Sequence, residues 1–364
     1  MSVFVIAIGL YSTLLLIIVL ITVLRKEEKH DANQPYSVII AARNEEQNIA
    51  GCLNSILLQS LPPESIVVVS DHSTDSTEKQ VMEFVDKYPA VRLVLCDDNH
   101  TGKRAAIAFA LRFMRTTLVV LTTDADCVVG KDWAKEMLES ITPEMRLCTG
   151  PVVIGEAKGL LSQLQYSELF FLVAGGAAIS VIGKTIQVSG ANMSFYRNDY
   201  LAFFESGYGE HFGSGDDVFF MQFLQKKYGR RSVRFCNKPN VLVETRPEPD
   251  TNSWLKQRLR WVLKARGYRN RYSFIYGTLL LLANVSFWTI VVAYFFNTVN
   301  VLIAIATLGS KFLSEIMLLV LFSVKWKQKV RWLGILLLPC FYLFFVVGVA
   351  LYRIFHHNIL WKSR

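Results

Sequence analysis

The sequence has little charge and lacks the cysteine patterns of secreted or zinc-binding proteins. Only 19% of its 364 residues are charged, against about 25% in an average soluble domain. Its six cysteines include no C-x-x-C pair, and five of them fall in one polar region, an odd number for a disulfide framework. We therefore expect free thiols in a reducing compartment and neither a disulfide scaffold nor a structural zinc site.

Long apolar runs account for the hydrophobic residues, which make up 52% of the chain and argue against a wholly soluble enzyme. Residues 3–24 form an uncharged run long enough to cross a hydrocarbon core of about 30 Å. No basic residue precedes this run and no A-x-A site follows it, so it predicts an uncleaved anchor rather than a signal peptide. Three further spans are predicted at 274–296, 301–324 and 333–355.

The basic residues lie beside these spans. Eight Lys or Arg residues and two acids fall between residues 246 and 271, and Lys325–Arg331 adds four more cations, together more than the whole net charge of +9. This placement favours an anionic membrane surface over nucleic acid as the partner. Arg25, Lys26 and Lys29 follow the first span, so the positive-inside rule predicts an external N-terminus and a cytoplasmic polar region.

Four short runs rich in Val, Ile and Leu mark the first part of the polar region. Continuous apolar, β-branched runs are typical of parallel strands that are buried on both faces. They fall at 37–42, 65–70, 91–95 and 117–122, with helical patterns between them at about 45–59, 74–88 and 103–114. The alternation predicts an α/β fold with a mostly parallel sheet and helices on both faces. No strand is followed by G-x-G-x-x-G, which argues against a dinucleotide-binding dehydrogenase.

Polar side chains follow these strands, at the edge where open parallel sheets bind ligands. Asp124 and Asp126 follow the fourth strand on one side of the backbone, about 7 Å apart along it. Two such carboxylates are able to hold Mg²⁺ or Mn²⁺ together with a phosphate. The alternative is that they are turn or helix-capping residues.

Asp71 follows the second strand and is predicted to point into the same cleft, with Thr74 or Asp75 capping the next helix. Lys103 opens the third helix, where an ammonium and a helix N-terminus are able to face an anion together. The alternatives are a capping role for this acidic stretch and a solvated surface position for Lys103.

Two adjacent acids, Asp216 and Asp217, follow the glycine-rich residues 213–215 and precede a helical run. A carboxylate pair raises one of its pKa values, as a general base requires. The alternative is that both acids are first-turn residues favoured by the helix dipole.

Residues 251–264 predict an amphipathic helix. Lys256, Gln257 and Arg260 share its polar face, and Trp261 lies on the rim. Such a helix is typical of the membrane interface, and its polar face is able to meet a diphosphate.

Six motifs occur in an order that resembles the family 2 inverting glycosyltransferases of GT-A fold, in particular their membrane-integrated members. These members include the cellulose, hyaluronan, chitin and poly-N-acetylglucosamine synthases and the ceramide glucosyltransferases. The motifs are A-A-R-N-E-E at 41–46, S-D-H-S-T-D-S-T at 70–77, G-K-R-A-A at 102–106, D-A-D at 124–126, G-D-D at 215–217 and Q-R-L-R-W at 257–261. The resemblance covers about residues 35–265, and His72 departs from it because many relatives carry glycine there.

The resemblance implies specific roles for residues in these motifs. The residues implied to bind the nucleotide-sugar are Ala41, Arg43, Glu45, Asp71, Lys103, Asp124 and Ala125. A divalent metal, Mg²⁺ or Mn²⁺, is implied on Asp126 with Asp124, and Asp217 is implied as the general base with Asp216 beside it. The residues implied to face the acceptor and the diphosphate are Gln257, Arg260, Trp261, Gly190 and Asn192.

We therefore expect a GT-A domain at 31–250 between an N-terminal anchor at 1–30 and an interfacial region at 251–272, followed by transmembrane helices at 273–364. The expected activity is inverting transfer from a UDP-sugar to a membrane-borne acceptor, preferentially a lipid, by a multi-pass protein of the cytoplasmic membrane with a cytoplasmic catalytic domain. A processive polysaccharide synthase is the first alternative. The second is a scaffold or transporter whose soluble domain only binds a nucleotide.

Overall fold

The computed structural model describes residues 1–25, 34–114, 117–210, 215–265 and 267–355. The described chain divides into two compact units. One, the sheet unit, comprises the described parts of residues 34–155 and 187–246, and the other, the helical unit, comprises residues 1–25, 156–186 and 247–355. Lys26 and Lys29, from which the orientation is predicted, lie outside the described residues, as do Gly213 and Ser214.

The helices and strands are numbered in chain order. The helices are α1 Ser2–Leu24, α2 Ile49–Leu57, α3 Thr77–Lys87, α4 Lys103–Phe113, α5 Trp133–Leu138, α6 Leu160–Val181, α7 Arg197–Glu205, α8 Asp216–Tyr228, α9 Thr251–Ala265, α10 Arg271–Phe295, α11 Val301–Lys325 and α12 Trp332–Phe355. The strands are β1 Tyr36–Ala42, β2 Ser65–Ser70, β3 Val91–Leu95, β4 Val119–Asp124, β5 Val128–Val129, β6 Leu147–Thr149, β7 Val152–Ile154, β8 Met193–Tyr196, β9 Val233–Phe235 and β10 Val243–Thr245.

A seven-stranded sheet in the order β3-β2-β1-β4-β8-β6-β9 forms the centre of the sheet unit. The four predicted strands are confirmed as β1 to β4 and pair in parallel. β8 runs antiparallel to both β4 and β6, so the sheet is mostly parallel, as predicted. A second sheet in the order β5-β10-β7 lies in the same unit.

The β-branched runs build the core of this unit. Val38, Ile40 and Val68 are fully buried, as parallel strands covered on both faces require. In β1 and β4 the register pairs Ala41 with Asp124, so both strands end at the same edge. This edge carries the polar residues that the sequence predicts to form the site.

The helical unit contains five helices that are long and apolar enough to cross a membrane, whereas the sequence predicted four. The predicted spans correspond to α1, α10, α11 and α12. Within α11, Lys311 Nζ lies 2.7 Å from Glu315 Oε1, so these two charges, four residues apart, form an ion pair. The hydroxyl of Tyr11 on α1 also donates to Glu315 Oε1, at 3.0 Å.

The fifth helix, α6, was missed, and it interrupts the predicted domain at 31–250. It is the least apolar of the five and contains Gln165 and Glu168. These polar residues make its sequence similar to that of the polar region around it. Both side chains are nevertheless buried. The strands that flank α6 in the large sheet, β6 and β8, are hydrogen-bonded neighbours, so the chain leaves the sheet for α6 and returns to it.

Candidate active site

A buried carboxylate lies where β2 ends. Asp71 is fully buried, and its Oδ2 accepts the backbone N–H of Gly102 at 3.0 Å, just before α4. Arg43 Nη1 lies 3.9 Å from the same oxygen, and His72 Nδ1 lies 3.1 Å from Oδ1. The loops after β1 and β2 and the start of α4 therefore meet at Asp71.

His72 occupies the left-handed backbone region, with φ of 57°. A residue with a Cβ rarely adopts this conformation, whereas glycine adopts it freely. The backbone therefore accounts for the glycine that many relatives carry at this position. In this chain the position holds an imidazole whose Nε2 lies 3.8 Å from Asp98 Oδ1.

The Arg43–Glu46 turn is attached to the start of α3. The N–H of Glu45 donates to Thr77 Oγ1 at 2.7 Å, and the N–H of Glu46 donates to Asp75 Oδ2 at 3.1 Å. Asp75 Oδ1 also accepts from the N–H of Thr77 at 3.0 Å, the capping role expected for Asp75. Burial acts to raise the pKa of Asp75, but the hydrogen bonds from Thr77 and Glu46 hold that pKa below its ordinary value.

Lys103 and Asp124 form an ion pair at the same edge, between the first residue of α4 and the end of β4. Burial acts to lower the pKa of Lys103, but the carboxylates of Asp124 and Asp217 outweigh it and hold that pKa above its ordinary value. The ammonium is therefore charged at neutral pH. It stands beside two carboxylates in the region where an anionic ligand is predicted.

Asp126 is surrounded by groups that the sequence analysis did not assign to the site. Thr245 Oγ1, at the end of β10, donates to Asp126 Oδ2 at 3.3 Å, and the Cys127 thiol donates to Oδ1 at 3.4 Å. Cys52 Sγ donates to the backbone carbonyl of Asp124, also at 3.4 Å. Burial, reinforced by Asp126 and Asp124, raises the pKa of both thiols, so they are protonated at neutral pH.

The donor set at Asp124 and Asp126 fits a hard divalent cation. Mg²⁺ is commonly held by one or two carboxylates, with substrate phosphates and water completing its coordination. Among the described residues no group of three or more His, Cys, Asp or Glu side chains is arranged to hold a metal.

Asp217 lies in the first turn of α8 and reaches the segment before β8. Its Oδ1 accepts the N–H of Val218 at 2.8 Å, and its Oδ2 accepts the N–H of Gly190 at 3.2 Å. A Cβ on Gly190 would lie 3.0 Å from Lys103 Nζ and 3.8 Å from Asp217 Cβ. Gly190 therefore lets the ammonium and the carboxylate approach, and the first-turn position of Asp217 is compatible with a place in the site.

Asp216 is the first residue of α8 and follows Gly215, whose φ is 98°. Ala41 and Ala125, also predicted to contact the nucleotide-sugar, flank the site by their backbone positions. Ala41 pairs with Asp124, and Ala125 is 3% exposed between the two carboxylates of the D-A-D motif.

Asn192 has a buried side chain that is engaged by the protein. Its Nδ2 donates to the carbonyls of Pro151 and Val241 at 2.9 and 2.7 Å, and its Oδ1 accepts from Trp133 Nε1 at 2.9 Å. These contacts join α5 to the segments beside β7 and β10. They indicate a structural role for a residue that the resemblance placed on the acceptor side.

Gln257, Arg260 and Trp261 lie on α9 in the helical unit, whereas the other predicted residues lie in the sheet unit. Gln257 Nε2 donates to Glu248 Oε1 at 2.7 Å. Burial lowers the pKa of Arg260. The amphipathic pattern at 251–264 correctly predicted this helix.

Comparisons with known proteins find a matching family model and several similar proteins. Residues 37–203 match the model of Glycosyl transferase family 2. Poly-beta-1,6-N-acetyl-D-glucosamine synthase of Staphylococcus epidermidis is 25% identical over 144 residues, which cover 39% of this chain and 34% of that protein. Glycosyltransferase AglE of Haloferax volcanii is 28% identical over 108 residues, 29% of this chain and 35% of that protein. These matches span about a third of the length of the curated relatives.

The mannosyltransferase PcManGT from Pyrobaculum calidifontis, solved with GDP-Man and Mn²⁺, has a similar structure with a TM-score of 0.55. The similarity covers 90% of this chain and 96% of that one at 19% identity, and it supports the fold alone. Together with the strand order and the motifs at the strand ends, these matches show that residues 37–203 resemble Glycosyl transferase family 2 and that the fold is GT-A.

Proposed function

We propose that this chain transfers a sugar from a UDP-sugar to a membrane-borne acceptor, with inversion at the anomeric carbon. One observation carries the proposal: within a family 2 domain, an ammonium and several carboxylates gather at one edge of the sheet. They are Asp71, Lys103, Asp124, Asp126 and Asp217. A nucleotide diphosphate needs positive charge, and an acceptor hydroxyl needs a carboxylate that accepts its proton.

In this proposal Asp217 is the general base. It takes the proton of the acceptor hydroxyl while the oxygen attacks the anomeric carbon from the face opposite the diphosphate. The bond between that carbon and the diphosphate oxygen breaks, and its electron pair leaves with UDP. A single displacement inverts the configuration and gives a β-linkage from an α-linked donor.

Charge compensation for the leaving diphosphate falls to Lys103 and to the metal site. Lys103 is held in place by Asp124 and is charged at neutral pH. A divalent ion, Mg²⁺ or Mn²⁺, on Asp126 and Asp124 would add positive charge beside the diphosphate. Asp71 and Arg43, which lie together, are proposed to bind the uridine.

We further propose four membrane crossings, by α1, α10, α11 and α12. A crossing by α6 would put its two ends on opposite sides of the membrane, yet the sheet strands before and after it are hydrogen-bonded to each other. With four crossings the sheet unit and the Lys325–Arg331 loop are cytoplasmic, as their flanking cations require. The protein is then an integral protein of the cytoplasmic membrane.

A lipid that receives one sugar is the proposed acceptor, because few membrane spans accompany the domain. A processive polysaccharide synthase is the second candidate. It is favoured by the similarity to the poly-N-acetylglucosamine synthase, which extends over 144 residues.

The test uses the full-length protein reconstituted in vesicles of cell lipids. It is incubated with a panel of labelled UDP-sugars and, because the similar mannosyltransferase was solved with GDP-Man, GDP-sugars. Label from a UDP-sugar in the organic phase, sensitive to a β-specific glycosidase, is the expected result. Label in a high-mass aqueous polymer would replace the lipid acceptor by a polysaccharide.

The matched control is Asp217→Asn in the same vesicles, which should form product about 10²- to 10⁴-fold more slowly. Label only from GDP-sugars would overturn the uridine assignment. UDP binding without transfer from any donor would overturn the enzyme proposal and favour a nucleotide-binding scaffold.

A further inference from the structure

A buried ion pair connects α6 to α9 inside the helical unit. Arg258 Nε donates to both carboxylate oxygens of Glu168, at 2.8 and 2.9 Å, and Arg258 Nη2 donates to Oε2. The exposed fractions are 5% for Arg258 and 2% for Glu168. A paired charge this deeply buried has a fixed geometry, because neither partner is able to exchange the other for water.

The same guanidinium contacts two other residues of the Q-R-L-R-W motif at 257–261. Arg258 Nη1 donates to Gln257 Oε1, and the guanidinium carbon lies 4.0 Å from the centroid of the Trp261 ring. It lies 5.9 Å from the centroid of the Trp254 ring. Arg258 thereby fixes the side chains of Gln257 and Trp261 relative to Glu168.

Gln257 is also held from its other end. Its Nε2 donates to Glu248 Oε1 at 2.7 Å. The side chain of Gln165 on α6 in turn forms hydrogen bonds with both the C=O and the N–H of Glu248. Gln165 Nε2 donates to the Glu248 carbonyl at 2.9 Å, and Gln165 Oε1 accepts the Glu248 N–H at 2.8 Å. α6 therefore holds the motif through two independent contacts, Glu168–Arg258 and Gln165–Glu248.

Arg260 differs from Arg258, although only two residues separate them. Residues two apart project from opposite sides of a helix. Arg260 makes no hydrogen bond to any residue in the part of the chain that the structure describes, and its interactions with Glu248 and Arg258 are purely electrostatic. Its donors are therefore open to an anionic ligand, whereas Nε, Nη1 and Nη2 of Arg258 are engaged by protein.

We propose that Glu168 and Arg258 are positioning residues, which fix Gln257 and Trp261 and leave Arg260 as the guanidinium of this motif that meets an anionic ligand. The inference rests on the proposed function, in which that ligand is the diphosphate of the donor. Glu168 on α6 would thus act on transfer through Arg258.

The test compares Glu168→Gln and Arg258→Lys in the full-length protein, with the donor that gives product in the panel above. Glu168→Gln keeps the shape of the side chain and removes its charge, and Arg258→Lys keeps the buried charge and removes the planar fork. We expect kcat to fall about 10- to 100-fold in both, because a small misplacement of a group that faces the reacting centre has effects of this size. Uridine affinity should stay within about twofold, because the proposed uridine residues lie on other elements, whereas UDP should bind more weakly because it carries the diphosphate that Arg260 is proposed to meet.

The matched control is Arg146→Lys. Arg146 forms a comparable pair with Asp199, with Nε and Nη2 each 2.7 Å from Asp199 Oδ2, outside the candidate site. This variant should transfer at the parental rate. The exchanged double variant Glu168→Arg with Arg258→Glu should also regain activity relative to either single exchange, which a loss of folding alone would not allow.

Transfer at the parental rate by Glu168→Gln and Arg258→Lys would overturn the inference, as would an equal loss in Arg146→Lys. If Glu168→Gln does not accumulate, Arg258→Lys decides, because it retains the buried charge pair. A parental protein that transfers while Asp217→Asn does not would leave the proposed function intact in either case. A parental protein without transfer would instead remove the proposed function itself.

Discussion

The backbone N–H of Gly190 donates to Oδ2 of Asp217 at 3.2 Å, across 27 positions of the chain. The other oxygen of this carboxylate accepts the N–H of Val218 at 2.8 Å. Two backbone donors fix the direction of the carboxylate, and a general base depends on geometry before it depends on pKa.

Asp217→Asn should reduce transfer about 10²- to 10⁴-fold, the usual contribution of a general base. The amide retains an oxygen that accepts a backbone N–H, so the fold should persist. UDP affinity should change by less than about 1 kcal/mol, because the base acts on the acceptor proton. Initial rates and UDP titrations of the reconstituted protein measure the two effects separately.

Asp216→Asn is the matched control for that experiment and should retain most activity. An equal loss in both variants would make the two carboxylates a coupled pair. Parental transfer by Asp217→Asn would reduce Asp217 to a first-turn residue of α8.

Asp126→Ala should abolish the metal dependence of UDP binding. Asp126 and Asp124 are the carboxylates at the end of β4, and a diphosphate bound there needs counter-charge. Titration of UDP with and without Mn²⁺ and a chelator measures the effect. Asp86→Asn, at an exposed position on α3, is the control. A UDP affinity that neither the chelator nor Asp126→Ala changes would refute the metal assignment.

Gly190→Ala should weaken donor binding several-fold without unfolding the protein. The new Cβ would lie 3.0 Å from Lys103 Nζ, the mobile end of a flexible side chain, so the ammonium shifts rather than the backbone. Gly51→Ala on α2, where a Cβ meets nothing within 4 Å, is the matched control. Equal donor KM values for the two variants would contradict the close approach of Lys103 to Gly190.

Asn192→Ala should lower the free energy of unfolding by about 2–4 kcal/mol, because it leaves the Trp133 N–H and two carbonyls buried without their partner. Thermal unfolding of the detergent-solubilised protein measures this change, with the exposed Asn99→Ala as control. An unchanged unfolding temperature with a raised acceptor KM would instead assign Asn192 to the acceptor, as the resemblance implied.

The proposed topology predicts that Lys327→Cys reacts with a membrane-impermeant maleimide only from the cytoplasmic side, and Asn297→Cys only from outside. The background carries Cys340→Ala, which removes the exposed thiol of α12. Burial raises the pKa of Cys96 to about 12, so this thiol stays protonated at neutral pH and reacts slowly. Labelling of Lys327→Cys in intact cells would reverse the orientation.

The sequence predicted the elements that are defined locally. The β-branched runs of β1 to β4 and the polar residues after them are recognisable in the sequence without knowledge of what they pack against. The same is true of Asp71 and Asp124. The three-residue strands β6 and β9 have no periodicity, because pairing with distant segments defines them. Thr245 lies 119 positions from Asp126, and Glu168 lies 90 positions from Arg258, so no local pattern connects either pair.

The same argument explains the missed helix. In a sequence, a glutamate indicates a surface position. Glu168 is able to lie inside an apolar bundle only because it pairs with Arg258. The resemblance placed Asn192 among ligand residues, whereas its contacts with Trp133 and Val241 depend on the tertiary fold.

The passage of the chain through α6 has a consequence for how this protein is expressed and how its gene recombines. β6 and β8 are adjacent in the sheet, yet the 22 residues of α6 lie between them in sequence. A gene fragment that encodes the catalytic sheet must therefore also encode an apolar helix whose partners lie outside the fragment. We expect residues 34–246 expressed alone to aggregate, and we expect recombination to exchange this catalytic domain together with its helical unit, not as a separable cassette.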